Sequence, residues 1–244
     1  MPAVRGNKQA KHEDWTPKED RLLLALRKKK ASYSELAACL PRHSQDAIRQ
    51  HYFVLTRNEP HWTEAENLAF FDLETSHLKA NIGILLSWAF KLRGGGVVYD
   101  VITKKDIMSG VMDRRIVKSF MAAIKPLDVL IGYYSTKFDV PFIRTRALML
   151  GIPFPAFGQQ FHHDVYYSAK WKLDLHSNRL DAVSHALGCK NEKTPLDISI
   201  WQKAQYGDPK CLAYIVEHNK ADVRVLEEVF EKLMPFIQMK RKSL

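Results

Sequence analysis

Phe71-Asp72-Leu73-Glu74-Thr75 sets two carboxylates one residue apart, directly after the apolar run Leu68 to Phe71. The run reads as a buried strand. Residues i and i+2 of a strand share a face, so Asp72 and Glu74 converge on one side while Phe71 and Leu73 pack the other. Burying a charge is costly unless it is paired or bound to a metal. The stretch therefore predicts something cationic at that spot.

Downstream of Leu68 the pattern alternates strands and helices. A long apolar strand is predicted over 82–92, a turn at Gly94-Gly95-Gly96, and a hairpin partner over 97–103. An amphipathic helix follows over 113–124, then a short apolar strand over 128–133. The helix over 138–150 is closed by Gly151 and Pro153, and a further strand is read at 161–166. Helices complete the segment at 179–187, 198–205 and 208–233. This order implies an α+β or α/β fold, α/β being the expectation, with a mixed sheet flanked by helices.

Upstream the character changes. Residues 1–13 are polar and basic and read as a disordered tail. From 14 to 57 every signal is helical. Thr16 precedes Pro17 and acidic residues, the signature of a helix start, and Leu22, Leu23 and Leu26 form an apolar stripe. Ser32 or Ser34 opens a second helix that Pro41 ends. Ser44 opens a third carrying Ile48, Tyr52 and Leu55 on one face. A second Trp-Thr start at Trp62-Thr63 runs into strand-like sequence instead of helices, so it reads as a chance echo. The expected organisation is a tail over 1–13, a three-helix domain over 14–57, a linker over 58–67 and an α/β domain over 68–238.

Composition bounds the function. Among 244 residues, 37 Lys and Arg face 27 Asp and Glu, a net charge of +10 that favours a polyanionic partner such as nucleic acid. No run of 18 apolar residues suggests a membrane span, and the N-terminus lacks the apolar core of a secretion signal. The three scattered cysteines, Cys39, Cys189 and Cys211, give no zinc spacing and fit a reducing interior. The expected location is intracellular, cytoplasmic or nucleoid-associated, and not secreted.

Two further acids stand in unusual surroundings. Asp139, in Phe138-Asp139-Val140-Pro141-Phe142, opens a helix just after a strand, where sites gather in such sheets. Asp222 lies in the last helix at the edge of the stripe Val223, Leu226 and Phe230. Taken singly, Asp139 also fits a helix cap and Asp222 a surface acid. Asp164, in His162-His163-Asp164-Val165, reads equally as an acid that orients a ligand or as an ordinary strand-end aspartate.

Two resemblances follow from these motifs. Trp15, Tyr33 and Tyr52, with the text around Trp15-Thr16-Pro17 and Leu40-Pro41-Arg42, resemble a single SANT/Myb-type helix-turn-helix repeat. This resemblance implies that the third helix offers Gln45, Arg49 and Gln50 to DNA; the alternative is a protein-binding module. The run Arg27 to Lys30 then reads as a phosphate contact or as a solvated helix end.

Over about 68–234, the ordered set Asp-x-Glu, Phe-Asp-x-Pro-Phe and His-Asn-x-x-Asp-Val resembles the DEDD exonuclease superfamily. Its YprB-type members and the proofreading domains of family B DNA polymerases are the most similar. The resemblance implies a ribonuclease H-like fold and two Mg²⁺ or Mn²⁺ ions on Asp72, Glu74, Asp139 and Asp222. It implies 3′→5′ hydrolysis of nucleic acid, DNA ahead of RNA, to 5′-mononucleotides, with the Leu73 carbonyl holding the strand end. It also admits a polymerase or repair complex as partner. A ribonuclease H-like endonuclease and a non-catalytic DNA-binding adaptor are the alternatives.

The chain departs from this pattern at two places. Relatives carry Tyr four residues before the last Asp or His five before it; here His218 stands at four and Glu217 at five. His218 shares a helix face with Asp222, which suits an imidazole that orients or deprotonates water, or one satisfied by a neighbouring carboxylate. Tyr134 occupies a position where polymerase-like relatives carry Asn, and either stacks on a base or packs. His77 reads as a loop residue near the site. Lys137, Arg144, Arg146, Lys170 and Lys172 are candidates for a phosphate path, and Trp171 for base stacking or core filling.

Overall fold

A computed structural model describes residues 15–29, 31–56, 67–191, 194–195, 197–237 and 242–244. The chain divides into two compact units, Met1–Thr63 and Glu64–Leu244. The expected tail over 1–13, the echo at Trp62-Thr63 and nearly all of the linker over 58–67 lie outside the described residues.

In the first unit, α1 (Pro17–Lys28), α2 (Tyr33–Cys39) and α3 (Gln45–Thr56) enclose Leu23, Leu36, Leu40 and Ile48. Thr16 and Ser32 close reciprocal capping boxes with Glu19 and Glu35, which satisfies donors that a helix start leaves unpaired. Trp15 stacks on His43 and His51 with ring centroids 3.7 and 3.9 Å away. Parallel rings that close to one centroid lie on opposite faces of the indole. Each imidazole also meets an acid of α1, His43 at Glu19 (3.3 Å) and His51 at Asp20 (2.6 Å). Arg27 turns inward over Tyr33 and Tyr52, 4.6 and 5.2 Å from their centroids. It is thereby withdrawn from the phosphate role read for it in the sequence.

The second unit holds a six-stranded mixed sheet in the order β3-β2-β1-β4-β5-β6. The strands are β1 (Leu68–Thr75), β2 (Leu85–Leu92), β3 (Val97–Val101), β4 (Val129–Gly132), β5 (Phe161–Asp164) and β6 (Lys242–Ser243). β1 pairs antiparallel with β2 and parallel with β4. Helices α4 (Lys104–Met108), α5 (Arg114–Ile124), α6 (Asp139–Met149), α7 (Val165–Lys172), α8 (Leu180–Ala186), α9 (Ile198–Ala204) and α10 (Pro209–Leu233) complete the α/β architecture.

The alternation in β1 separates two cores. Phe71 and Leu73 join Trp88, Phe90, Phe120 and Ile143 beneath α5 and α6. Phe70, on the same side as Asp72 and Glu74, meets Phe230 of α10 at 5.4 Å. Full burial of each such phenylalanine stabilises the fold by about 2–3 kcal/mol. α10 therefore lies against the carboxylate side of β1, which brings its own acid, Asp222, to the same face.

Four sequence expectations are corrected. The strand expected over 82–92 starts at Leu85, because the Ile82 and Gly83 amides close a turn on Lys79 O at 3.2 and 2.8 Å; Arg146 also donates to Ala80 O of this loop at 3.1 Å. The hairpin partner stops at Val101, and Thr103 caps the short α4. The strand expected over 161–166 ends at Asp164, whose carboxylate accepts the Tyr166 amide and starts α7. Arg146 belongs to no phosphate path: it is 7% exposed and donates from Nε to Asp113 Oδ2 at 2.9 Å. Asp113 is fully buried and also accepts the Leu85 amide at 2.8 Å.

Candidate active site

β1 outruns β4. Their pairing ends at Phe70 opposite Ile131, whereas β1 continues to Thr75. In that extension the Leu73 amide donates to Asp139 Oδ1 at 3.2 Å. The acid of α6 is thus attached to the backbone between Asp72 and Glu74. Leu73 presents its amide here while its side chain is buried in the core.

α10 supplies the other half. Asn219 Nδ2 donates to Asp72 Oδ2 at 2.7 Å. His218 Nε2 lies 3.7 Å from Glu74 Oε1 and 4.0 Å from Asp222 Oδ2. One ligand atom each from Glu74, His218 and Asp222 lies within 4.8 Å of the others, a spacing that suits a metal ion. His218 and Asn219 lie about one turn before Asp222 on α10, and all three are buried.

Burial, followed by the negative charges of Asp164 and Asp222, pushes the Asp139 carboxyl up to about 7, against the opposing pull of the Leu73 amide. Like charges at close range disfavour ionisation of each other. A divalent cation reverses that balance, and carboxylate oxygens are the hard donors that Mg²⁺ and Mn²⁺ prefer. The donor set therefore fits such an ion. Asp72 and Asp139 stand beside the Glu74–His218–Asp222 group, held by Asn219 and Leu73 respectively.

Sequence reasoning passed over three supports of this site. Trp201 Nε1 donates to Glu74 Oε2 at 3.2 Å, and its ring meets His218 edge-on at 5.2 Å. Thr194 Oγ1 is hydrogen-bonded to His218 Nδ1. Asn219 lay within the quoted motif without a role. Nothing in the spacing of Thr194 or Trp201 points to Glu74, more than 100 residues away. His77 is an exposed loop residue whose Nδ1 accepts the Lys79 amide at 3.0 Å.

Asp164 ends β5, and its hydrogen-bond partners among the described residues are backbone amides. It is buried and accepts the amides of Tyr134 (2.8 Å), Thr136 (2.9 Å) and Tyr166 (3.2 Å). It thereby fixes the loop that leads from β4 into Asp139. Tyr134 in that loop is 45% exposed with φ of 60°. In the first unit Gln45, Arg49 and Gln50 are exposed on α3, with Arg49 engaged by Asp46 at 3.3 Å and over Tyr33 at 5.0 Å.

Residues 69–234, more than half of the chain, match a family described as the RNase H superfamily, and the chain belongs to that superfamily. DNA polymerase 2 of Aeropyrum pernix is 26% identical over 145 residues, covering 51% of this chain and 18% of the polymerase. The solved structure of the family B DNA polymerase from Pyrobaculum calidifontis has the same fold over 73% of this chain. Its TM-score is 0.60 at 22% identity, and the match covers 26% of that polymerase. The chain thus corresponds to about a quarter or less of either polymerase. Among the described residues no helix is long and apolar enough to cross a membrane.

Proposed function

We propose that the protein is a divalent-metal-dependent 3′→5′ exonuclease that acts on nucleic acid, DNA ahead of RNA. The observation that carries this reading is the meeting of acids from β1, α6 and α10, with His218 3.7 Å from Glu74. Membership of the RNase H superfamily and the likeness to DNA polymerases support it.

In this reading Asp72, Glu74, Asp139 and Asp222 hold two ions, Mg²⁺ or Mn²⁺. When bound, such ions supply Lewis acidity and positive charge for in-line displacement at phosphorus. Glu74 is oriented by the Trp201 indole and Asp72 by the Asn219 amide. His218, fixed at Nδ1 by Thr194, directs Nε2 toward the acids and orients the attacking water. The Leu73 carbonyl and Tyr134 hold the 3′ end of the strand. In the first unit Gln45, Arg49 and Gln50 deliver the enzyme to DNA.

A 3′-labelled oligonucleotide with Mg²⁺ or Mn²⁺ tests this. The expected result is stepwise release of mononucleotides by the wild type and negligible release by Asp72→Ala and Asp222→Ala, with closed circular DNA left intact. Nicking of the circle would overturn the exonuclease reading in favour of an endonuclease. Equal, negligible release by all three proteins would leave only a binding role. Removal of residues 1–57 is expected to weaken duplex binding and flatten its salt dependence; unchanged binding would assign α3 to protein contact.

A further inference from the structure

Helix α7 carries an outward face that packing does not explain. Val165 and Ala169, four residues apart, are its buried anchors. Trp171 leaves the helix 76% exposed. Tyr166 meets Tyr134 edge-on at 4.8 Å and Tyr167 at 5.2 Å. An exposed patch of large apolar groups is informative where a lone exposed side chain is not.

A cavity of about 460 Å³ opens beside this face, lined by His163, Tyr167, Ser168, Trp171, Lys172 and Lys242 among others. Lys242 Nζ stands 4.9 Å above the Tyr167 ring. Lys137 and Lys170 are exposed nearby in sequence, on the loop before Asp139 and on α7. Aromatic faces with ammonium groups between them match a strand that alternates flat bases with phosphates.

The face is also coupled to the carboxylates. Asp164 caps α7 through the Tyr166 amide and holds the Tyr134 and Thr136 amides three to five residues before Asp139. It keeps Tyr134 in the left-handed region, where a side chain other than glycine is strained. Strain of that kind persists only where the surroundings fix it, and it concentrates at ligand clamps.

We propose that α7 and the loop after β4 form a stacking platform for single-stranded nucleic acid. Bases lie on Trp171 and Tyr134, and Lys170, Lys172 and Lys242 hold phosphates. The platform rests on the nuclease reading only for what happens at the strand's end. Tyr134 meets the strand at its 3′ end and Trp171 grips nucleotides that precede it, so Trp171 acts on long strands and leaves the shortest ones untouched.

The test is binding of the full-length protein, in EDTA, to a fluorescent ten-nucleotide oligothymidylate and to a dinucleotide. Stacking is worth about 1–3 kcal/mol per base, so Trp171→Ala is expected to weaken the ten-nucleotide probe by about tenfold. The dinucleotide should bind as before. Trp171→Phe should retain most of the affinity, which separates stacking from misfolding. Lys172→Ala should reduce the salt dependence by about one counterion's contribution, a slope change of about 0.7. Equal affinity of wild type and Trp171→Ala for the longer probe would overturn the platform, as would equal weakening of both probes. If the wild type hydrolyses nothing and Trp171→Ala still weakens the longer probe, the nuclease reading fails and the platform stands.

Discussion

Asp113 and Asp139 are both buried acids at the start of a helix, and their surroundings are opposite. Asp113 meets the Arg146 guanidinium and the Leu85 amide. Asp139 meets no cation, only backbone amides, its own and that of Leu73, together with the negative fields of Asp164 and Asp222. The first corner is electrostatically closed and fixes the fold. The second concentrates like charge and is open to a cation. Burial of an acid is therefore no mark of function by itself; the sign of what surrounds it is.

Removing one acid from each corner is the strongest way to break the comparison. Asp222→Ala is expected to cut hydrolysis by at least about a thousandfold, equivalent to about 4 kcal/mol of barrier, with the melting temperature held or raised. Asp113→Ala should cost roughly 3–5 kcal/mol of stability, because Arg146 is left buried and uncompensated. Kinetics and thermal melts of both variants check this. A stable Asp113→Ala protein, or an unfolded Asp222→Ala protein, would erase the distinction.

The pH response comes next in size. Asp139 is raised in the folded protein, from 3.8 to about 7. Between those values the folded state holds a proton that the unfolded chain has released. Its contribution to stability is complete below the lower value and is lost as pH rises through the upper one. Metal-free melts should therefore fall across that window, and Asp139→Asn should flatten the fall. Added Mg²⁺ or Mn²⁺ should raise the melting temperature more at pH 8 than at pH 5.5.

The smallest effect concerns the supports. Trp201→Phe keeps the ring against His218 and deletes the donor to Glu74. A hydrogen bond to a charged group is worth about 1.5–3 kcal/mol. Metal half-saturation, read by calorimetry, should rise about tenfold, with the melting temperature little changed.

Local periodicity made the central strand legible, because alternation along Phe71 to Thr75 is visible without tertiary knowledge. The same rule misled at two places. Ile82 and Ile84 extend the apolar run ahead of β2, yet Ile82 is 67% exposed in a loop held by Arg146. The run through Tyr166 looks strand-like, yet the carboxylate of Asp164 caps a helix there. Arg146 could not be told from the other basic residues, because its partner lies 33 positions away. The acids of the site were readable as an ordered set of motifs, whereas Trp201 and Thr194 reach it only through the fold.

The hydrogen bond from Leu73 to Asp139 has one more consequence. A main-chain donor sets the gap between the acids of β1 and that of α6, so swapping the side chain at 73 leaves the attachment in place. Proline alone among the standard residues would sever it, for want of an amide hydrogen. The spacing of the site is in that sense written into the peptide backbone.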